Sequence, residues 1–556
     1  MADSKMQAFG SERGWTPLAL VLLGSVWIAS VGNWPLWRTL AQLPEMSTGR
    51  GTLFVAAFGV MVAALTTGLL ALAAWRRTVK PAIAIVVLSA AIGAYFMGTY
   101  GVVLDPTMMT NVLQTDPREA GDLLGWRFIA NVALIGVLPL VWLWRAPIRR
   151  MPVARQALHN VLAFVGCALV LVALIALFFA DLSATMRNHR SLRYLINPAN
   201  AYFSLGVIAK QANARPAGPL ETISADAHVR PRAAGTRPPL VVLVVGETAR
   251  ADHFALNGYA RPTNPELARE DIVSFTHVTS CGTNTAASLP CMFSALGRSR
   301  FEARERDQEN LLDVAQRAGL AVLWVDNQSG CKGLCDRVPH AAAIEPASGT
   351  ALPSELCSDG ECFDEALLVG LDQRLAALPA ERRERGVLIV LHQMGSHGPA
   401  YFKRSPPNRK PFQPECASTV LQQCALETLV NAYDNSIAYT DHVLAATIHW
   451  LERHAAGNEP VLVYLSDHGE SLGENNIFLH GLPYALAPRE QTHVPMVVWF
   501  GADGTAGRSA RTACLRERRD APLSHDHLFH TVLGLLDVET REYQKALDAV
   551  APCRGR

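Results

Sequence analysis

Five stretches in the first third of the chain contain no Asp, Glu, Lys or Arg: Thr16–Trp37, Gly51–Trp75, Pro81–Leu104, Phe128–Trp144 and Ala157–Ala180. Each runs for about 17 to 25 residues, which matches the roughly 20 that an apolar helix needs to cross a ~30 Å hydrocarbon core. Buried helices of soluble proteins seldom stay uncharged for so long, so five transmembrane helices are expected. The first run is read as a span rather than a cleaved signal peptide, since it is long and lacks a convincing small-x-small site.

The pattern changes further along. Ser183–Gln211 is amphipathic and carries Arg187, Arg190, Arg193 and Lys210, which suits either a helix lying on a membrane surface or a solvated stalk. Ala212–Pro239 is rich in Pro, Ala and Gly and reads as a linker. Beyond it, short aliphatic and β-branched runs recur between helical stretches: Leu240–Val245, Ala321–Val325, Val387–Leu391, Val461–Leu465 and Val494–Phe500. Near-continuous apolar strands of this kind suit a mainly parallel sheet buried on both faces. The expected organisation is a five-span membrane domain over 1–182, a connector over 183–239 and an α/β domain over 240–556.

Charge refines this division. Of 556 residues 18% are charged, against roughly 25% in an average soluble protein. The deficit is uneven, with 20 charges in the first 180 positions and 79 in the remaining 376. A net charge of +1 with 50% hydrophobic residues excludes a disordered chain and a strongly basic nucleic-acid binder, so no nucleic-acid partner is expected. Arg76, Arg77 and Lys80 fall between runs two and three, and Arg145, Arg149, Arg150 and Arg155 between four and five. The positive-inside rule then places the N-terminus in the cytoplasm and, after five spans, the α/β domain on the far side.

Cysteine usage agrees with that orientation. Of 11 cysteines, Cys167 alone lies in a membrane run. The others pair locally as Cys281/Cys291, Cys331/Cys335, Cys357/Cys362 and Cys416/Cys424, leaving Cys514 and Cys553 to pair by elimination. That is a disulfide framework, and it implies an oxidising compartment, most simply a bacterial periplasm. A zinc knuckle is the competing reading for Cys331/Cys335, but no second pair or matching histidine spacing accompanies it.

Polar residues follow directly after the predicted strands: Glu247 after the first, Asn327 after the second, His392 and His397 after the third, Asp467 and His468 after the fourth. Ligands of open α/β sheets bind outside the carboxyl ends of the strands. Glu247, Asp467 and His468 are donors of the kind Zn²⁺ accepts at about 2.0–2.2 Å. The turn Ser280-Cys-Gly-Thr-Asn-Thr-Ala-Ala-Ser-Leu-Pro-Cys291 offers hydroxyls that a disulfide would hold rigid. A threonine there is a weak nucleophile unless a metal lowers its pKa, and helix capping is the plainer use of such hydroxyls.

Taken together, the motifs resemble a known family. Gly246-Glu-Thr-Ala-Arg250, His253, Asn257-Gly-Tyr259, Thr263-Asn-Pro265, the Cys281–Ser294 segment, Gly395-Ser-His-Gly-Pro399, Ser466-Asp-His-Gly-Glu470 and His480-Gly-Leu-Pro-Tyr484 are similar to the phosphoethanolamine transferases of Gram-negative bacteria. Met108-Met-Thr-Asn-Val-Leu-Gln-Thr-Asp116 with Glu119-Ala120 resembles that family's periplasmic loop, so the likeness covers nearly the whole chain. The lipid A subgroup, with the mobile colistin-resistance enzymes, matches best.

This resemblance implies an alkaline-phosphatase/sulfatase-like catalytic domain joined to the five spans. It implies Thr285 as nucleophile, with Glu247, Thr285, Asp467 and His468 ligating one tightly bound zinc. Lys332, His397 and His480 would contact the donor or acceptor phosphate, and His397 or His480 would hold any second, weaker zinc. Asn111, Thr115 and Glu119 would line a lipid-side cavity. The implied reaction moves phosphoethanolamine from phosphatidylethanolamine to a phosphate of lipid A in the inner membrane, through a covalent threonine, by a monomer. It would confer polymyxin resistance. A core sugar or other envelope glycan as acceptor, or phosphoglycerol as the group moved, is the alternative within the superfamily; a membrane-anchored sensor with a degenerate enzyme domain is the alternative outside it. His253 and His493 are read as structural.

The topology has a direct test. Alkaline phosphatase fused after Ala180 is expected to be active, and the same reporter fused between Arg145 and Arg155 inactive; the opposite pattern would invert the orientation.

Overall fold

Helices of 20 to 25 residues fill the first part of the chain at Pro17–Ala41, Gly49–Leu72, Val79–Tyr100, Trp126–Arg145 and Val153–Leu177, each long and apolar enough to cross a membrane. The structure, a computed structural model, describes residues 14–554 apart from 116, 215–217, 234, 359 and 502–506, and apart from the side chains of 117–119, 190, 213, 214, 507 and 508. Two compact units result: Met1–Met109 with Leu123–Lys210, and Thr110–Asp122 with Gln211–Arg556.

Within the membrane unit, outward-facing positions such as Leu53, Ile85, Leu134 and Leu169 are exposed and apolar, as a lipid-facing surface requires. Polar glue sits inside. Asn33, buried where the first span breaks into a 3-10 turn at Val31–Asn33, donates to the Asn197 carbonyl at 2.6 Å, and its own side-chain oxygen accepts the Asn197 amide at 2.8 Å. The Asn197 side chain donates onward to Gly32 and Ala90, tying the first and third spans to the start of the connector. Buried amides away from water are stable only when paired in this way.

The second unit is built on an eight-stranded sheet. Its strands are β1 (Pro239–Gly246), β2 (Ile272–Thr279), β3 (Ala321–Asp326), β4 (His340–Ala342), β5 (Val387–His392), β6 (Glu459–Ser466), β7 (His493–Phe500) and β8 (Leu523–Ser524), in the spatial order β8-β2-β7-β6-β1-β5-β3-β4. All five expected strands are present, and β2, β4 and β8 join them. β7 runs antiparallel to both of its neighbours and the remaining pairings are parallel. β4 and β8, three and two residues long, sit at the two edges, too short to leave a periodic signal.

Burial on both faces explains the unbroken apolar runs. Val241, Leu243 and Val245 of β1 join one core with Leu388, Val390, Val461 and Val463. Leu240, Val242 and Val244 join the opposite core with Ile389, Leu462 and Tyr464. Helix α1 (Thr285–Met292) contributes to the first core, and the 28-residue α2 (Leu426–Arg453) covers the second.

Disulfides join Cys281–Cys291, Cys331–Cys335, Cys357–Cys362, Cys416–Cys424 and Cys514–Cys553, while Cys167 is free. The Cys331 and Cys335 sulfurs are thus spent on each other, which disposes of the zinc-knuckle reading. Cys514–Cys553 closes the longest loop, with a separation of 39 residues. In the chain-entropy account such a link contributes about 4 kcal/mol. Replacing both cysteines by alanine is expected to destabilise the second unit by about that much in denaturant unfolding; an unchanged midpoint would show that the link does not constrain the unfolded chain.

Candidate functional site

The ladder ends assemble the site. β1 pairs with β6 so that Gly246 faces Ser466, and with β5 so that Val245 faces His392. One residue beyond those pairs come Glu247 and Asp467, and the Asp467 amide donates to the Gly246 carbonyl at 2.9 Å. Chain polarity and register alone therefore bring two carboxylates from distant parts of the sequence to one edge.

Two tight backbone approaches lock them there. A side chain on Gly469 would lie 2.0 Å from the Glu490 carbonyl, so only glycine lets the chain turn after His468. Gly395, at φ +52°, presses against the backbone of Glu247 with no room for a Cβ. The neighbouring Thr248 is a β-branched residue at φ 53°, held by Tyr433, whose hydroxyl donates to its carbonyl at 2.7 Å. Such a conformation costs about 1–3 kcal/mol and persists where the surroundings dictate it.

Glu247, Asp467 and His468 are fully buried, and their ligand atoms lie within 4.8 Å of one another. His468 Nδ1 is 2.9 Å from the Gly469 carbonyl, which makes it the donor and turns Nε2 inward. Nε2 is then 3.2 Å from Glu247 Oε1 and 3.4 Å from Asp467 Oδ2. Those two oxygens are buried without a hydrogen-bond partner. Unpaired carboxylate oxygens converging on an imidazole are a donor set for a divalent metal such as zinc, and the residues fit that group.

The electrostatics point the same way. Burial opposes ionisation of Glu247, but the adjacent His468 ring and the other nearby imidazoles override it and hold the carboxyl well below the usual range. Burial, reinforced by the Glu247 charge, pushes Asp467 up to about 6. His468 is pushed up to about 10, because Asp467 and Glu247 outweigh its desolvation. The cluster holds a positive charge strongly at its centre.

Thr285 stands at the first turn of α1, where Asn284 caps the helix by accepting the Ala287 amide at 2.9 Å. Its hydroxyl donates to Glu247 Oε2 at 3.0 Å and lies 3.4 Å from His468 Nε2. The free amides of a helix start favour negative charge there. His480 stacks 4.3 Å from the His468 ring and 5.7 Å from that of His397, so three imidazoles share the pocket. His480 Nδ1 is 3.3 Å from the buried Glu470, and Gly481 bonds back to the Thr283 carbonyl at 2.8 Å, pinning this loop to the turn that carries Thr285.

The other expected residues scatter around this centre. Lys332, between the two cysteines of its loop and at φ 50°, donates to Ser329 Oγ at 2.9 Å. Asn327 donates to Cys362 and Asp364, a structural use. Asn111 and Thr115 bond to each other along the helix Pro106–Gln114, where the Thr115 hydroxyl reaches the Asn111 carbonyl at 2.8 Å. The side chain of Glu119 lies outside the described residues. His253 pairs with the buried Asp434 at 2.6 Å, and His493 Nε2 is 2.6 Å from the Thr276 carbonyl.

Sequence reading passed over several supports. Gln328 donates to Glu247 Oε2 at 2.8 Å, leaving Oε1 for a metal. Asp364, buried, accepts the Met394 and Gly395 amides and so shapes the loop that carries His397. His392, by contrast expected from the sequence, ends β5 and pairs with Asp326 at 3.0 Å. The polar run Asp326-Asn-Gln-Ser329 directly after a strand was a usable signal for Gln328; Asp364 left none. Beside the cluster opens a cavity of about 230 Å³ walled by Gln328, Ser329, Met394, His397, Glu361 and Arg404.

Comparison with known proteins gives a consistent picture. A family model described as phosphoethanolamine transferase EptA/EptB matches residues 62–212, and a sulfatase model matches 239–538. Phosphoethanolamine transferase EptA of Salmonella typhimurium is 40% identical over 544 residues, covering 97% of each chain. Phosphatidylethanolamine transferase Mcr-1 of Escherichia coli is 37% identical over 538 residues, covering 95% of this chain and 96% of its own. The solved integral membrane lipooligosaccharide phosphoethanolamine transferase A of Neisseria meningitidis superposes with a TM-score of 0.89 at 34% identity, covering 96% of this chain and 98% of its own.

Removing the Gln328 amide tests the support of Glu247. Gln328→Leu is expected to weaken zinc retention against a competing chelator by about 10- to 100-fold; unchanged retention would mean that Glu247 is held by its backbone alone.

Proposed function

The chain belongs to the phosphoethanolamine transferase family, and on that footing we propose that it moves phosphoethanolamine from phosphatidylethanolamine to a phosphate of lipid A through Thr285. The observation that carries this reading is the Thr285 hydroxyl bonded to Glu247 and facing His468, inside a buried carboxylate–imidazole cluster.

Glu247, Asp467 and His468, with Thr285, would hold zinc. When bound, such an ion stabilises a threonine alkoxide and neutralises charge on phosphoryl oxygens. The chain supplies the rest. The Thr285 hydroxyl proton passes to a histidine, His397 or His480, and the start of α1 favours the negative charge left on Oγ, which attacks the donor phosphorus. The bond from phosphorus to the diacylglycerol oxygen breaks, and a histidine, His397 or His480, gives that oxygen its proton. Phosphoethanolamine is left on Thr285. An oxygen of the acceptor phosphate then attacks the same phosphorus, and Thr285 leaves.

Lys332 and the histidines would steady the phosphate charge, and Asn111, Thr115 and Glu119 would line the approach of the lipid. The reading takes one tightly bound zinc, and His397 or His480, whose rings lie 5.7 Å apart, would hold any second, weaker ion. Both substrates are lipids, which accounts for the fused spans; the loop charges and the disulfides support a reaction at the outer face of the inner membrane, with the N-terminus cytoplasmic. An ethanolamine cation added to lipid A weakens its attraction for polymyxins and other cationic peptides.

Expression of the wild-type chain in a polymyxin-sensitive strain is expected to add one phosphoethanolamine to lipid A by mass spectrometry, and Thr285→Ala to abolish it. Labelling retained in Thr285→Ala would overturn the nucleophile, and label on core sugars with lipid A unmodified would move the acceptor.

A further inference from the structure

One buried histidine has no part in the scheme above. His525 is 1% exposed and opens the turn after β8. Its Nδ1 lies 3.0 Å from the Cys281 backbone amide, and its Nε2 lies 2.9 Å from the Ser466 carbonyl. An amide only donates and a carbonyl only accepts, so Nδ1 is bare and Nε2 carries the proton. One neutral tautomer satisfies both bonds. Burial pushes this imidazole down to about 4, so that form is maintained around neutrality.

The two bonded residues belong to different parts of the site. Ser466 ends β6 and immediately precedes Asp467 and His468. Cys281 begins the disulfide-closed turn that contains Thr285. No ladder joins β6 to β2, because β7 lies between them. The next residue strengthens the bridge: Asp526 accepts the Arg298 amide at 2.8 Å, and Arg298 Nε donates to the Cys281 carbonyl at 3.1 Å. Both polar backbone atoms of Cys281 are thus held from the 525–526 turn, one directly and one through Arg298.

We propose that His525 is a positioning residue, a two-ended hydrogen-bond strut that sets the Thr285 hydroxyl at its working distance from Asp467 and His468. This rests on the reading of Thr285 as nucleophile. The strut touches neither substrate nor metal, so its loss acts on the alignment of attack. Displacement of a reacting group by about 1 Å costs on the order of 10²-fold in rate.

Three variants of the full chain, assayed for transfer from phosphatidylethanolamine to lipid A, separate this role from general stability. His525→Leu removes both bonds, His525→Asn keeps an acceptor near the Nδ1 position, and His525→Gln keeps a donor near the Nε2 position. The expected result for His525→Leu is kcat lowered by about 10- to 100-fold per folded molecule, KM for the donor within about twofold, and zinc content unchanged. His525→Asn and His525→Gln are expected to recover part of kcat. A folded His525→Leu protein with wild-type kcat overturns the proposal, as does a kcat loss that merely tracks lost zinc. If His525→Leu does not fold, wild-type kcat in both single-bond variants overturns it. Failure of the Thr285 reading is distinguishable, because it shows as labelling retained in Thr285→Ala.

Discussion

Two fully buried carboxylates are the constraint around which the catalytic unit is arranged. Glu247 and Asp467 each keep an oxygen with no hydrogen-bond partner, beside an imidazole whose outer nitrogen is already committed to the Gly469 carbonyl. Removing an ion from water costs several kcal/mol even after relaxation. Such a cluster survives only if something cationic occupies its centre and if the surrounding backbone cannot relax away. The glycines at 395 and 469, the left-handed Thr248 and the Gln328 amide all serve that second requirement. The core on either side of the sheet supplies the stiffness against which this strain is held.

The membrane unit obeys the same rule in a different solvent. Lipid cannot satisfy a stray amide, so the Asn33 side chain pairs with the Asn197 backbone, and the two side-chain amides donate to the carbonyls of Ile28, Gly32 and Ala90. A strictly apolar anchor would contain no such pair. Its presence ties the spans to the connector in a specific arrangement rather than a sliding one.

Legibility in the sequence followed the length and repetitiveness of each signal. The five spans and five of the six long strands of the sheet were readable because burial on all sides leaves unbroken apolar runs, whereas Ser274, Thr276 and His277 interrupt β2. β4 and β8, three and two residues long, were not readable, and neither was the antiparallel sense of β7, since direction leaves no mark on composition. In the site, Glu247, Asp467 and His468 stood out because each directly follows a strand. Their supports did not: Gln328, Asp364 and His525 act through one or two hydrogen bonds each to residues tens or hundreds of positions away. The pairing of Cys514 with Cys553 could be reached from the sequence only by exhausting the nearer partners.

The Cys281–Cys291 link has a consequence for where this protein can work. Thr285 sits inside that covalent ring, on the first turn of a helix only eight residues long, whose path is set partly by the ring itself. Thiols in a reducing compartment remain thiols. On the proposed reading, with Thr285 as nucleophile and the domain exported, a newly made chain carries an unfinished turn until the domain has crossed the membrane and met an oxidant. Export and oxidation together act as a licence, which keeps a headgroup-transferring activity away from the lipids of the leaflet where the chain is made.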